Sequence, residues 1–131
     1  MRDAVAGLPD PGAVEMRPAT TDVPGALREV GVILSSSVRE SFHAALVEGA
    51  ASRAVPVVRD WPLMRRWDGP GRLFPADWVA ADLDAAAHRV HAATADPDVW
   101  RRAGDQARAD AERFGLPVGR AAIADLLGGS G

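Results

Sequence analysis

The sequence predicts an α/β domain: a short parallel sheet flanked by helices, with further helices filling the C-terminal half. Two observations carry this expectation. Residues 30–34 (Val30, Gly31, Val32, Ile33, Leu34) and 55–58 (Val55, Pro56, Val57, Val58) form two short continuous apolar runs. Runs of this length, apolar on both faces, read as buried parallel strands. Between them, residues 41–53 are rich in Ala and Leu and read as a helix. Strand, helix, strand over about thirty residues is a βαβ unit, whose strands are parallel and whose crossover is right-handed.

The elements follow in order. Residues 1–12 are expected to be loop-like, because Gly7, Pro9, Pro11 and Gly12 interrupt any regular pattern. Residues 13–17 predict a short strand, stopped by Pro18, and Thr21 or Asp22 then caps a short helix running to about Glu29, with Pro24 in its first turn. The first strand of the βαβ unit ends in Ser35, Ser36 and Ser37, and Ser41 is the expected N-cap of the crossover helix. Beyond Asp60 the turn signals Trp61-Pro62, Asp68-Gly69-Pro70-Gly71 and Phe74-Pro75 predict irregular chain, followed by a short strand at Trp78-Val79. Residues 82–127 are helical in composition, with Pro97 and Pro117 placed as first-turn prolines of new helices. One domain over residues 13–127 is expected, with a flexible tail at 128–131.

Bulk properties exclude several functions. A hydrophobic share of 47% is that of a packed globular chain, and a net charge of −3 gives no electrostatic reason to expect nucleic acid as a partner. All fifteen cationic side chains are arginines, so neither a Schiff-base lysine nor a lysine phosphate clamp can come from this chain. The absence of Cys removes disulfides, thiolate nucleophiles and zinc–cysteine sites. No stretch approaches the roughly 20 apolar residues that span a bilayer, and residues 1–12 lack the apolar run of a signal peptide. A cytoplasmic protein is expected, at most peripherally associated with a membrane.

The chemistry concentrates in residues 35–58. In an open α/β sheet, ligands bind beyond the carboxyl ends of the strands, where the loop 35–40 lies. The first amides of the helix that follows have no intrahelical partner, and the helix dipole reinforces them as an anion site. The amides of Phe42, His43 and Ala44 are therefore candidates to hold a diphosphate. Glu48 lies seven residues after Ser41, on the same side of the helix and about 10 Å along its axis, where a carboxylate can accept hydrogen bonds from a ribose diol. Glu40 lies on the other side of the anion site, within reach of sugar hydroxyls.

Glu40 and Glu48, with seven residues between them, resemble the E-x7-E signature of retaining glycosyltransferases of the GT-B fold, family 4 type. The surroundings are similar too. A strand ending in serines precedes Glu40, and Phe42 follows it by two residues. Glu48-Gly49-Ala50-Ala51-Ser52-Arg53-Ala54-Val55-Pro56-Val57-Val58 mirrors the family's E-A-M-A-x-G-x-P-V-V run. The match is strong over about residues 30–60 and weaker through Leu73-Phe74-Pro75-Ala76-Asp77-Trp78-Val79 to the closing helices. The resemblance implies the second, Rossmann-like half of a GT-B fold and transfer of a sugar, with retention, from a nucleotide-diphosphate sugar to an acceptor. It implies that Glu40 acts on the donor sugar as the catalytic-site carboxylate and that Glu48 binds the ribose. It implies no metal or other cofactor, and an N-terminal GT-B domain as the missing acceptor-binding partner, so that this chain is expected to be a C-terminal fragment without full activity alone. The chain departs from the family at His43, where Gly is usual, and in lacking the lysine that holds the diphosphate.

The rival reading is a non-catalytic Rossmann-like module that binds a nucleotide or a protein. For other residues the structural reading leads: Ser35, Ser36 and Ser37 as strand-end caps, Arg39 as surface charge, Trp61 as a core plug with a place near the nucleotide as its alternative, and Trp67, Trp78 and Trp100 as packing. His88 and His91 are expected to be exposed rather than to ligate a metal. His43 is open between a ligand donor and a ring packed aside.

Overall fold

The computed structural model describes residues 2–37, 42–61 and 70–128. Ahead of the sheet come α1 (Arg2–Ala6), a 3-10 turn at Pro11–Ala13 and α2 (Val23–Arg28); then β1 (Val32–Ser35), α3 (Ala44–Ala51) and β2 (Val55–Arg59) form the βαβ unit. They are followed by α4 (Pro70–Leu73), β3 (Val79–Ala80), α5 (Leu83–Thr94), α6 (Pro97–Ala111), a 3-10 turn at Glu112–Phe114 and α7 (Leu116–Gly128). The sheet runs β1-β2-β3 and is parallel throughout, with Val32 opposite Val55 and Val58 opposite Val79. The expected α/β architecture, a small parallel sheet flanked by helices, is what the chain adopts.

Alternation along the strands sends neighbouring residues to opposite faces. Ile33 and Val58 face Leu46 and Ala50 of α3 and Ala107 and Ala111 of α6, in a cluster completed by Trp61, Phe74 and Trp78. Val32 and Val57 face the other way, where Ala85, Ala86 and Val90 of α5 join Ala80 in a second cluster. Helices therefore cover both faces, as the two-sided apolar runs require. Pro56 in the central strand costs no ladder bond. Val55 donates to Gly31 on the β1 side at 3.0 Å, whereas Val58 donates to Trp78 on the β3 side at 2.8 Å. Pro56 shares the parity of Val58, and the third strand begins only opposite Val58, so no acceptor awaits the missing N–H.

Helix α3 ends in a Schellman turn: Ala54 donates to Gly49 at 3.0 Å and Arg53 to Ala50 at 2.9 Å. Arg53 takes the left-handed position of this turn, with φ 70°. Helix α6 packs straight onto it, for a Cβ at Gly104 would stand 2.5 Å from the Arg53 carbonyl oxygen. Aspartates cap the starts of α2, α5 and α6, the first of them as expected. Asp22 accepts from Gly25 and Asp82 from Ala85, while Asp96 accepts from Asp98 and Val99. Pro97 and Pro117 sit in the first turns of α6 and α7.

Five expectations are corrected. Residues 2–6 are helical and 11–13 form a 3-10 turn, so the N-terminus is not wholly loop-like; Asp10 caps the turn by accepting from Gly12. Residues 13–17 form no strand, because an extended segment becomes one only by pairing with a neighbour. Its Arg17 binds Glu29 at 2.8 Å and Glu15 at 3.1 Å instead, and those carboxylates, Glu29 foremost, raise the guanidinium pKa. Helix α3 begins at Ala44 with His43 as N-cap, later than expected; Ser41 lies outside the described residues. The third strand is one residue further on than expected, at Val79–Ala80, and Trp100 is 37% exposed rather than packed away, its indole N–H donating to Gly31 at 2.9 Å.

Two substitutions test the α3–α6 contact. Gly104→Ala should destabilise the chain by about 1–3 kcal/mol in urea unfolding despite the better helix propensity of Ala, since backbone meets the new methyl. Arg53→Gly should stabilise it by up to about 1 kcal/mol, because relief of the left-handed strain outweighs an exposed ion pair to Asp105.

Candidate functional site

The site candidates gather at the carboxyl edge of the sheet, where β1 ends at Ser35, β2 at Arg59 and β3 at Ala80. A parallel crossover returns the chain from this edge, so α3 must start here with its amide-rich end toward whatever lies beyond the strands. Its first intrahelical bonds run from Leu46 (3.1 Å) and Val47 (3.4 Å) to the His43 carbonyl. The first-turn amides ahead of them are those of Ala44 and Ala45. The candidate anion donors thus shift from Phe42, His43 and Ala44 to Ala44 and Ala45, because the helix starts later than its sequence signals suggested.

Glu48 follows Ala44 by four residues and Ala45 by three, which puts all three on one helix face. All three are exposed, while Leu46, Gly49 and Ala50 turn the opposite face to the core. With His43 as the cap, Glu48 stands about 7.5 Å along the axis from it, less than the distance measured from Ser41. One exposed face therefore carries two small residues over helix-start amides and, one turn on, a carboxylate. Glu40 and Arg39 lie outside the described residues, as does Trp67.

The other candidates are placed by packing. Phe42 lies ahead of the cap, its ring 5.4 Å from Phe114 and 6.4 Å from Phe74, within an aromatic group where Phe74 also stacks on Trp78 at 5.7 Å. It anchors the approach to α3. His43 turns its ring to the sheet, its Nε2 2.5 Å from Ser35 Oγ and its centroid 6.5 Å from that of Trp61. Ser35 is 5% exposed, so this bond satisfies a buried hydroxyl at the strand end. Trp61 is fully buried in the main core cluster, yet its Nε1, like Arg59 Nε two residues earlier, has no hydrogen-bond partner among the described residues. His88 and His91 are exposed on α5.

The pairing of Ser35 with His43 was missed by sequence reasoning, since nothing in a separation of eight residues signals it. The orphaned donors of Arg59 and Trp61 had one usable signal, their position directly after a buried strand. Three concavities among the described residues lie away from this edge. The largest, about 950 Å³, is an open groove between residues 15–20 and α2. A second, about 360 Å³ and mostly apolar, lies under α5 and α6, and a third, about 230 Å³, lies beside Trp100 and Arg53. No helix among the described residues is long and apolar enough to cross a membrane.

Comparison with protein-family models, with curated proteins and with solved structures found no match to this chain.

The Ser35–His43 pair is open to a double-mutant cycle. His43→Ala should cost about 1–3 kcal/mol in denaturant unfolding by stranding the Ser35 hydroxyl. Adding Ser35→Ala should recover a measurable part of that loss; strictly additive effects would show the two groups to be energetically independent.

Proposed function

We propose that this chain is the donor-binding half of a retaining glycosyltransferase of the GT-B type, holding a nucleotide-diphosphate sugar at the start of α3. The observation that carries the reading is the exposed face of α3 at the carboxyl edge of a parallel βαβ unit, running from the amides of Ala44 and Ala45 to Glu48. The resemblance of residues 40–58 to the family's glutamate signature supports it from the sequence side.

In this reading the diphosphate accepts hydrogen bonds from the Ala44 and Ala45 amides, aided by the helix dipole. Glu48 accepts the ribose hydroxyls, and Glu40 contacts the donor sugar as the catalytic-site carboxylate. Departure of the nucleotide diphosphate builds negative charge on its terminal phosphate, where fixed amide dipoles stabilise the transition state without a metal. The acceptor comes from a second domain outside this chain, so turnover by the isolated chain is not expected. The absence of lysine favours a second reading, a nucleotide-binding module without catalysis. Turnover on addition of an acceptor-binding domain separates the two.

Isothermal titration with UDP, GDP and their sugar conjugates tests the donor site. Saturable binding of one nucleotide is expected, weakened about tenfold or more by Glu48→Ala through loss of charge-assisted bonds to the diol. Glu40→Ala should weaken the sugar conjugate more than the free nucleotide. Unchanged affinities in both variants would overturn the assignment of these carboxylates.

A further inference from the structure

Trp61 combines two properties that conflict in a residue whose only task is packing. Its side chain is 0% exposed and sits in the main core cluster with Leu46, Val58, Phe74 and Trp78. Its Nε1 is nevertheless buried with no hydrogen-bond partner among the described residues. An indole N–H is a donor only, and a buried donor left unpaired is destabilising, so native chains leave few of them. A core plug alone would be better served by Phe or Leu.

The position of the orphan is informative. Trp61 follows β2 at the carboxyl edge, and its ring lies 6.5 Å from that of His43, the N-cap of α3. His43 is in turn tied to the end of β1 through Ser35. The ring that carries the unpaired donor is thus packed against the residue from which the first-turn amides of α3 set out. Arg59, at the end of the same strand, presents a second buried nitrogen without a partner. Neither donor meets an acceptor among the described residues, and a phosphoryl oxygen is an acceptor alone.

We infer that the Trp61 indole N–H is a ligand contact, donating to a phosphoryl oxygen of the anion held at the start of α3. The inference rests on the donor-site reading above and adds to it a residue outside the glutamate signature. Trp61 is a positioning donor here: it completes the anion site in place of the absent lysine, its ring beside that of His43. Because the N–H is closed off in the free chain, the ligand must part the edge as it enters, and contact follows that opening.

The experiment is a ¹H–¹⁵N correlation spectrum of the indole region, titrated separately with UDP and with inorganic pyrophosphate. The four tryptophans give four indole signals, and Trp61→Phe identifies the relevant one. Should that variant fail to fold, Phe substitutions at Trp67, Trp78 and Trp100 identify it by elimination. The expected result is a saturable downfield proton shift of the Trp61 signal with both probes, and a loss of about tenfold in UDP affinity for Trp61→Phe that Trp100→Phe does not share. UDP binding by calorimetry with the Trp61 signal unmoved overturns this contact and leaves the donor reading standing. A shift with pyrophosphate without tighter binding of UDP or GDP keeps the contact and removes the nucleotide. No binding of pyrophosphate, UDP or GDP overturns both.

Discussion

The parallel pairing of β1 with β2 is the constraint from which the rest of the molecule follows. Parallel strands cannot be joined by a tight turn, so the chain must travel from the carboxyl end of β1 back to the amino end of β2. Helix α3 is that journey, and its polarity is not a separate choice: its amide-rich end belongs at the carboxyl edge. The return must also be compact at the far side, which the Schellman turn at Arg53 accomplishes by closing two backbone hydrogen bonds. Gly104 then lets α6 lie directly on that turn, and Gly49 lets α3 approach the strand, since a Cβ there would meet Ile33 at 2.7 Å. Both close approaches seal the same face.

What was legible in the sequence was whatever is decided locally. The two apolar runs, the cap Asp22, and the first-turn prolines Pro97 and Pro117 each act within a few residues, and all but the exact strand ends came out as read. Residues 13–17 show the limit. Their alternation suits a strand, but a strand exists through its neighbour, and Arg17 finds carboxylates instead. The start of α3 shows a subtler limit: Ser41 is the better capping residue by type, whereas the chain caps at His43, whose ring is drawn to Ser35 in the sheet. The candidate site was legible to the same degree. Glu48 and the small residues before it follow from helical spacing, while the orphaned donors at Arg59 and Trp61 depend on what packs over them.

The electrostatic character of the carboxyl edge follows from the composition. With no lysine in the chain, no ammonium group is available there, and the donors include backbone amides, an indole N–H and guanidinium groups. Amides and indole act through fixed dipoles at short range, so under the proposed reading the recognition of an anion depends on geometry more than on net attraction. Long-range steering would be weak in a chain of net charge −3, and affinity would respond less to salt than it does for an ammonium clamp.

Helix α7 has a different relation to the fold. None of its residues is buried, and Leu126 and Leu127 are each 80% exposed. A helix of 13 residues with no packed face is marginal in water by itself. It adds helical signal without sharing the free energy that holds Trp61 and Trp78 in the core. Far-ultraviolet ellipticity and the near-ultraviolet signal of those buried rings would then report on different transitions during heating. A midpoint fitted to the ellipticity would include the fraying of α7, whereas one fitted to the buried rings would describe the packed core.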